Sequence, residues 1–216
     1  MKGNLTLLLA LLSPTLALAN LDCGPLKNAY GPYDYTNPAH FREKLPIVEQ
    51  FHYDLGVQTL RGHAQTNHNP NTVGGDLDYT LRAFPNHHRA LFTLARYWTE
   101  SMNPLRMRYS VDCYYERAIR FQPRDYTARM IYGIYLKRVD RLAEAIDQME
   151  DALSIEPDSP EVHYNLALVR LDNGDVQAAI EHAKFAYGNN YPLPGLAKKL
   201  RKLGVDLHEA GIAASN

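Results

Sequence analysis

The sequence is short of the residues that most often mark chemistry. Its 216 residues include two cysteines and one tryptophan. There is no Cys-x-x-Cys or His-x-x-x-His pair from which a tetrahedral metal site could be nucleated, although nine histidines are present. A glycine-rich phosphate loop, a dinucleotide fingerprint and a Gly-x-Ser-x-Gly elbow are all missing. Charge of neither sign is in excess. A formal net charge of −1 supplies no basic field for nucleic acid and no acidic tail. The apolar run at 5–12 is stopped by Ser13 and Pro14, well short of the ~20 residues that span a bilayer.

What is present fits one soluble domain with a real core, 45% of the chain being apolar and 22% charged. The stretch at 1–19 reads as an export signal, with Lys2, the apolar run, and Ala17-Leu18-Ala19 as a small-residue cleavage site. The mature chain is expected to begin at Asn20, without stable membrane insertion, and to be periplasmic or secreted; a retained anchor is the alternative. Asp22 argues against lipidation at Cys23. In an oxidising compartment Cys23 and Cys113 are a natural disulfide pair. Two separate thiols are the other reading, and a catalytic cysteine lacks a nearby activating base.

The stretch at 126–187 writes one helical hairpin twice. Pro123 and Pro157, Ala145 and Ala179, and Ala152 and Ala186 are each related as i and i+34, and a fixed period of this length signals stacked units that bury one another's apolar faces. Asp125 caps a helix with Ile131, Tyr132, Ile134, Tyr135 and Leu136. A second helix carries Leu142, Ala145, Ile146, Met149, Ala152 and Leu153 at spacings of three and four. In the next unit Ser159 caps, Pro160 takes the first helical position, Asn173-Gly174 stops the first helix, Asp175 caps the second, and Gly188 ends it.

Gly133, Ala145, Ala152 and Pro157 in one unit, and Leu166, Ala167, Gly174, Ala179 and Ala186 in the next, resemble the tetratricopeptide repeat. Arg129 and His163 stand where that repeat usually has an aromatic, Asp140 replaces the turn glycine, and Tyr191 precedes a proline that comes one place late. The resemblance implies an all-α solenoid of stacked hairpins. The expected organisation is an arm at 20–75 packing on the repeats, repeats at 76–187, a capping helix at 188–208 and a frayed tail at 209–216. Within the repeats, 88–125 is degenerate and 126–159 and 160–187 are good. The surplus of the degenerate unit belongs in its inter-helix turn at 101–108, and 65–75 reads as a polar loop. Tyr30, Tyr33, Tyr35, Phe41, Leu45, Ile47, Val48 and Phe51 are the arm residues expected to be buried, with a kink at Pro46. Leu196, Leu200 and Leu203 are the expected stripe of the capping helix. The segments at 23–26, 31–35 and 81–88 resemble exported tetratricopeptide proteins of proteobacteria, a likeness that carries export and fold and no mechanism.

In such repeats the first helix of each unit lines the concave face. The resemblance therefore implies a binding surface of Arg89, Phe92 and Arg96, then Thr127, Met130, Ile134 and Lys137, then Glu161, Tyr164, Asn165, Leu168 and Leu171. The expectation is a non-catalytic exported scaffold that binds a protein or peptide, without metal or cofactor. An apolar groove would take the ligand's side chains while a carboxylate meets Arg89, Arg96 or Lys137; alternatively the arm fills the groove. The runner-up is an accessory subunit of a cell-envelope enzyme or transporter, for example a polysaccharide-related one. A metal-dependent enzyme comes third, with His87 and Asp76 as candidate ligands. The simpler reading makes His87 and His88 a first helical turn behind a capping Asn86.

Overall fold

A computed structural model describes residues 23–54, 57, 73–100 and 107–212. The expected signal at 1–19, most of the polar loop at 65–75, most of the turn at 101–108 and the last four residues lie outside the described set. All regular structure among the described residues is helical. The arm gives α1 (Pro38–Glu43) and α2 (Leu45–Val48), which runs on as a π-helical turn at Glu49–Tyr53. Then come α3 (Val73–Ala83), α4 (His88–Glu100), α5 (Val111–Phe121), α6 (Tyr126–Arg138), α7 (Leu142–Ile155), α8 (Pro160–Asp172), α9 (Val176–Gly188) and α10 (Gly195–Lys202). None is long and apolar enough to cross a membrane.

The caps follow from the residues. Asp125, Ser159 and Asp175 each accept the backbone N–H three residues on, from Ala128, Val162 and Ala178, which satisfies one of the donors a helix start leaves open. The turns of the two good units coincide as well: Asp140 (φ 61°) and Gly174 (φ 83°), one repeat period apart, both take the left-handed conformation that breaks the helix. Beyond α9 that conformation falls on Asn190 (φ 61°) and not on Gly188, which closes the helix itself.

Small residues set the packing. Each hairpin closes on itself, α6 on α7 and α8 on α9, while α4, α6 and α8 lie side by side as an inner row. Ala118, Ala152 and Ala186 recur once per period and are fully buried, as are Ala145 and Ala179. At Gly133 an added Cβ would lie 2.8 Å from Met149 Cε and 3.2 Å from the Ala145 carbonyl oxygen, so a larger residue would have to displace the Met149 side chain and push α6 and α7 slightly apart. Aromatics bridge successive units: Tyr115 of α5 stacks on Tyr132 of α6 with centroids 4.6 Å apart.

The arm covers α3, with Leu45 and Val48 buried against Ala83 and Phe84 and with Tyr30, Tyr33 and Tyr35 packed around them half-buried. Three of the residues expected in this contact are not in it: Phe41, Ile47 and Phe51 are 47%, 52% and 57% exposed. The cause is register. α2 turns Leu45, Val48 and Tyr53 inward, so Ile47 and Phe51 point the other way. No kink is needed at Pro46, because the helix restarts at Leu45 and the proline falls in its first turn, where its missing N–H costs nothing.

At the far end α10 packs on α8 and α9 through Leu196, Ala197 and Leu200. Leu203, expected on this stripe, instead follows the last helical residue and is 58% exposed. The tail does not fray at Glu209: it turns back at 207–211, and Leu207 and Ile212 are buried in the same cluster as α10.

The last hairpin holds a pH-sensitive contact. His163 Nε2 donates to the Pro157 carbonyl (3.0 Å), which leaves its Nδ1 to accept from His182 Nδ1 across α8–α9 (2.9 Å). Burial first, then the neighbouring His163 and Arg170, push the His182 pKa from 6.5 down to about 4. The unfolded chain therefore binds this proton at higher pH than the folded one, and stability should fall as pH drops from 6.5 towards 4. The lowered carboxylates Asp34, Glu49, Glu144 and Asp172 lose their contributions only as pH falls below their ordinary values of 3.8 to 4.5. Urea unfolding across that interval should show a slope that His182→Asn reduces; an unchanged slope would mean that the imidazole is not held neutral.

Candidate functional site

The arm and α4 build a groove between them. Arg89, Phe92, Thr93 and Arg96 recur at spacings of three and four and so share one face of α4. The π-helical turn brings Tyr53 onto that face, where its hydroxyl donates to the Arg89 carbonyl oxygen (3.3 Å) and lies 3.0 Å from Thr93 Oγ1. The Arg89 guanidinium sits 4.8 Å over the Tyr53 ring and pairs with Glu49 Oε1 at 2.8 Å, with Asp54 Oδ1 at 3.8 Å. Between these walls is a cavity of about 150 Å³, lined also by Val57 and Tyr97. A cavity of about this size in another protein accepts benzene, so the space suits one apolar side chain.

His87 fixes the start of α4 from beneath the groove. Its Nδ1 accepts the Ala90 N–H at 3.1 Å and its carbonyl accepts from Leu91, so this residue, and not Asn86, caps the helix. The ring is fully buried among Tyr35, Tyr53 and Phe84. With Nδ1 an acceptor, the proton belongs on Nε2, which is 3.2 Å from Glu49 Oε1 but too poorly aligned for a full hydrogen bond. Burial holds the His87 pKa down and the ring neutral, and His87, followed by Arg89, holds Glu49 below the usual carboxylate range. The groove edge is thus a carboxylate and a guanidinium fixed by an uncharged imidazole.

The twelve residues expected to bind do not form one surface. Arg89, Phe92 and Arg96 line the groove, with Phe92 41% exposed and the Arg138 guanidinium 5.8 Å from its ring. Met130 is buried and meets Asn165 Nδ2 at 3.7 Å, so the join between α6 and α8 takes it into the core. Tyr164 and Leu171 are buried in the cluster that includes Tyr187, Tyr191 and α10. Lys137 is paired with Asp172, which also takes Lys199 of α10. Thr127, Ile134 and Leu168 are half-buried and Glu161 is exposed. The apolar middle of the expected groove is therefore largely packing between units. Sequence reasoning missed Glu49, Tyr53, Val57, Thr93 and Tyr97; the spacing of four between Glu49 and Tyr53 was the available signal, but the arm lies outside the repeat pattern.

Asp76 and His87, the candidate metal ligands, are tied to different partners, Asp76 to His52 (3.0 Å) and His87 to Glu49. Among the described residues no group of three or more histidine, cysteine, aspartate or glutamate side chains could hold a metal ion.

Residues 133–192 match the family model described as tetratricopeptide repeat, and the fold is an all-α solenoid of that type. Comparison with curated proteins finds no match. Among solved structures, a crystal structure of MamA is 19% identical, covering 74% of this chain and 86% of its own, with a TM-score of 0.48. A second MamA structure is 18% identical over 77% of this chain and 91% of its own (TM-score 0.48). MamA 41-end from Desulfovibrio magneticus RS-1 is 18% identical over 67% and 74% (TM-score 0.43).

Proposed function

We propose that the chain is an exported, non-catalytic scaffold that holds a protein or peptide segment against the first unit, in the groove between the arm and α4. Tetratricopeptide repeats serve protein interaction, and the observation that supports this site is the cavity of about 150 Å³ beside the exposed Phe92 ring. One apolar side chain of the partner enters between Tyr53, Val57 and Tyr97, and its flanking polar groups meet the mixed rim where Arg89 is held by Glu49 and Asp54. Export is supported by the leader pattern at 1–19 and by the Cys23–Cys113 disulfide.

A photo-crosslinking residue at Phe92, used in living cells, should trap a discrete partner, whereas one at the buried Met130 should trap none. Phe92→Ala should abolish capture with a melting temperature within a degree or two of the parent, since surface changes stay within about 0.5 kcal/mol. Met130→Ala should instead cost about 2 to 3 kcal/mol as a core truncation. A Phe92→Ala chain that still captures the partner would move the site elsewhere.

A further inference from the structure

We infer that the C-terminal cap docks on an anionic lipid surface. Lys198, Lys199, Arg201 and Lys202 lie on α10, which has no acidic residue. The rest of the chain then holds 19 of the 23 basic residues against all 24 acidic ones, and the acidic residues nearest the helix are Asp172, Asp206 and Glu209. Lys199 is engaged by Asp172. Lys198 and Lys202 have no ion-pair partner among the described residues and, four apart, stand on the side of the helix opposite the buried Leu196 and Leu200.

Two simpler reasons for these charges leave something over. Cations complement the C-terminal end of a helix dipole, but that effect is confined to the last turn and gives no reason for Lys198. A solenoid cap needs a polar outer face for solubility, but this one ends on apolar residues. Leu193 is 50% exposed before the helix and Leu203 is 58% exposed after it. The open depression of about 650 Å³ that follows in the chain is mixed, with Val205, Leu207 and Ile212 in its lining beside Arg201, Asp206 and His208, so the exposed leucines and not this hollow supply the apolar contact. Lysines unpaired among the described residues, with exposed leucines at either end of the same helix, match the headgroup and acyl layers of an anionic bilayer. A purely ionic partner would use the lysines and leave the leucines idle.

The full chain should sediment with phosphatidylglycerol-rich vesicles and much less with phosphatidylcholine vesicles. Raising the salt to about 0.5 M, where the Debye length shrinks to a few Å, should weaken this binding. Each surface cation contributes roughly fivefold to such partitioning, so Lys198→Gln with Lys202→Gln should reduce it by about 30-fold. Leu193→Asn with Leu203→Asn should reduce it further. All four positions are exposed, so melting temperatures should match the parent. The leader is common to every variant and its contribution cancels. Equal binding to neutral vesicles, or binding unchanged by the lysine variants, would overturn the inference. So would loss with the lysine variants but none with the leucine variants, accompanied by capture on an immobilised polyanion, which identifies an acidic polymer as the partner.

Discussion

Replacing Cys23 and Cys113 together by serine should cost the folded chain about 4 to 5 kcal/mol, because the bond between them closes a loop of 90 residues. At roughly 2 to 4 °C per kcal/mol for a chain of this size, the melting temperature should fall by on the order of 10 °C or more. The position of the bond adds a local consequence. Both cysteines are buried, and one turn along α5 Arg117, 1% exposed, donates to the Cys23 carbonyl (2.9 Å) and the Pro25 carbonyl (2.8 Å), while Arg120 reaches the Gly24 carbonyl (2.7 Å). Gly24 has φ 66°, and a Cβ there would fall 2.6 Å from the Tyr109 hydroxyl, so the segment fits only as glycine. The covalent bond and the guanidinium hold the same three arm residues. Without the bond, Arg117 keeps its carbonyl partners only when the arm returns on its own, and protease cleavage near the start of the arm should rise before the core melts. Urea unfolding of the parent and the double-serine chain measures the first effect and timed proteolysis the second. A stability change under about 1 kcal/mol, far below what closing such a loop contributes, would mean that the bond is not formed in solution.

The repeats were legible because the residues that specify them act locally or at a fixed period. Caps at Asp125, Ser159 and Asp175 need only their own first turn, and Ala118, Ala152 and Ala186 advertise their contact by recurrence. The disulfide was legible from the leader pattern at 1–19 and from the number of cysteines. The groove was not, since Glu49 and Tyr53 meet Arg89 and Thr93 across 36 to 40 residues of sequence and belong to no repeat. Nor could position within the repeat separate Phe92 from Met130 and Tyr164: these occupy related places on first helices, but a following unit covers Met130 and the cap covers Tyr164, while Phe92 keeps an open side. Burial at such positions is set by the neighbours in the stack. The same limit applies to Ile47 and Phe51: which side of the helix faces inward is set by the contacts of Leu45, Val48 and Tyr53, and Phe51 lies in a π-helical turn that no propensity marks.

Asp125→Ala should be the most damaging single substitution on the polar side of the fold, at about 2 to 4 kcal/mol, the sum of a lost cap and one stranded buried donor. The carboxylate is buried and serves three elements at once. Oδ1 caps α6 through the Ala128 N–H (3.0 Å); His88 Nε2, at the start of α4, lies 3.0 Å from Oδ1 and 2.8 Å from Oδ2; and Oδ2 accepts from Asn86 Nδ2 (2.8 Å). Asn86 is itself fully buried and carries the link onward, accepting the Tyr35 N–H (3.0 Å) and donating to Asp34 (2.9 Å). Loss of the cap alone costs about 1 kcal/mol. A buried donor left without an acceptor adds roughly 1 to 3 kcal/mol, which applies to Asn86; His88 is partly exposed and can donate to water instead. Asp125→Asn separates these contributions: asparagine caps as well as aspartate, but it has one carbonyl oxygen to share and no charge to strengthen the bond to His88, so about 1 to 2 kcal/mol should be lost. Asn86→Ala with Asp125→Ala should cost clearly less than the sum of the two single changes, because each already strands the other's partner. Additive losses in that cycle would show that arm, α4 and α6 are held independently, and that the buried network does not couple them.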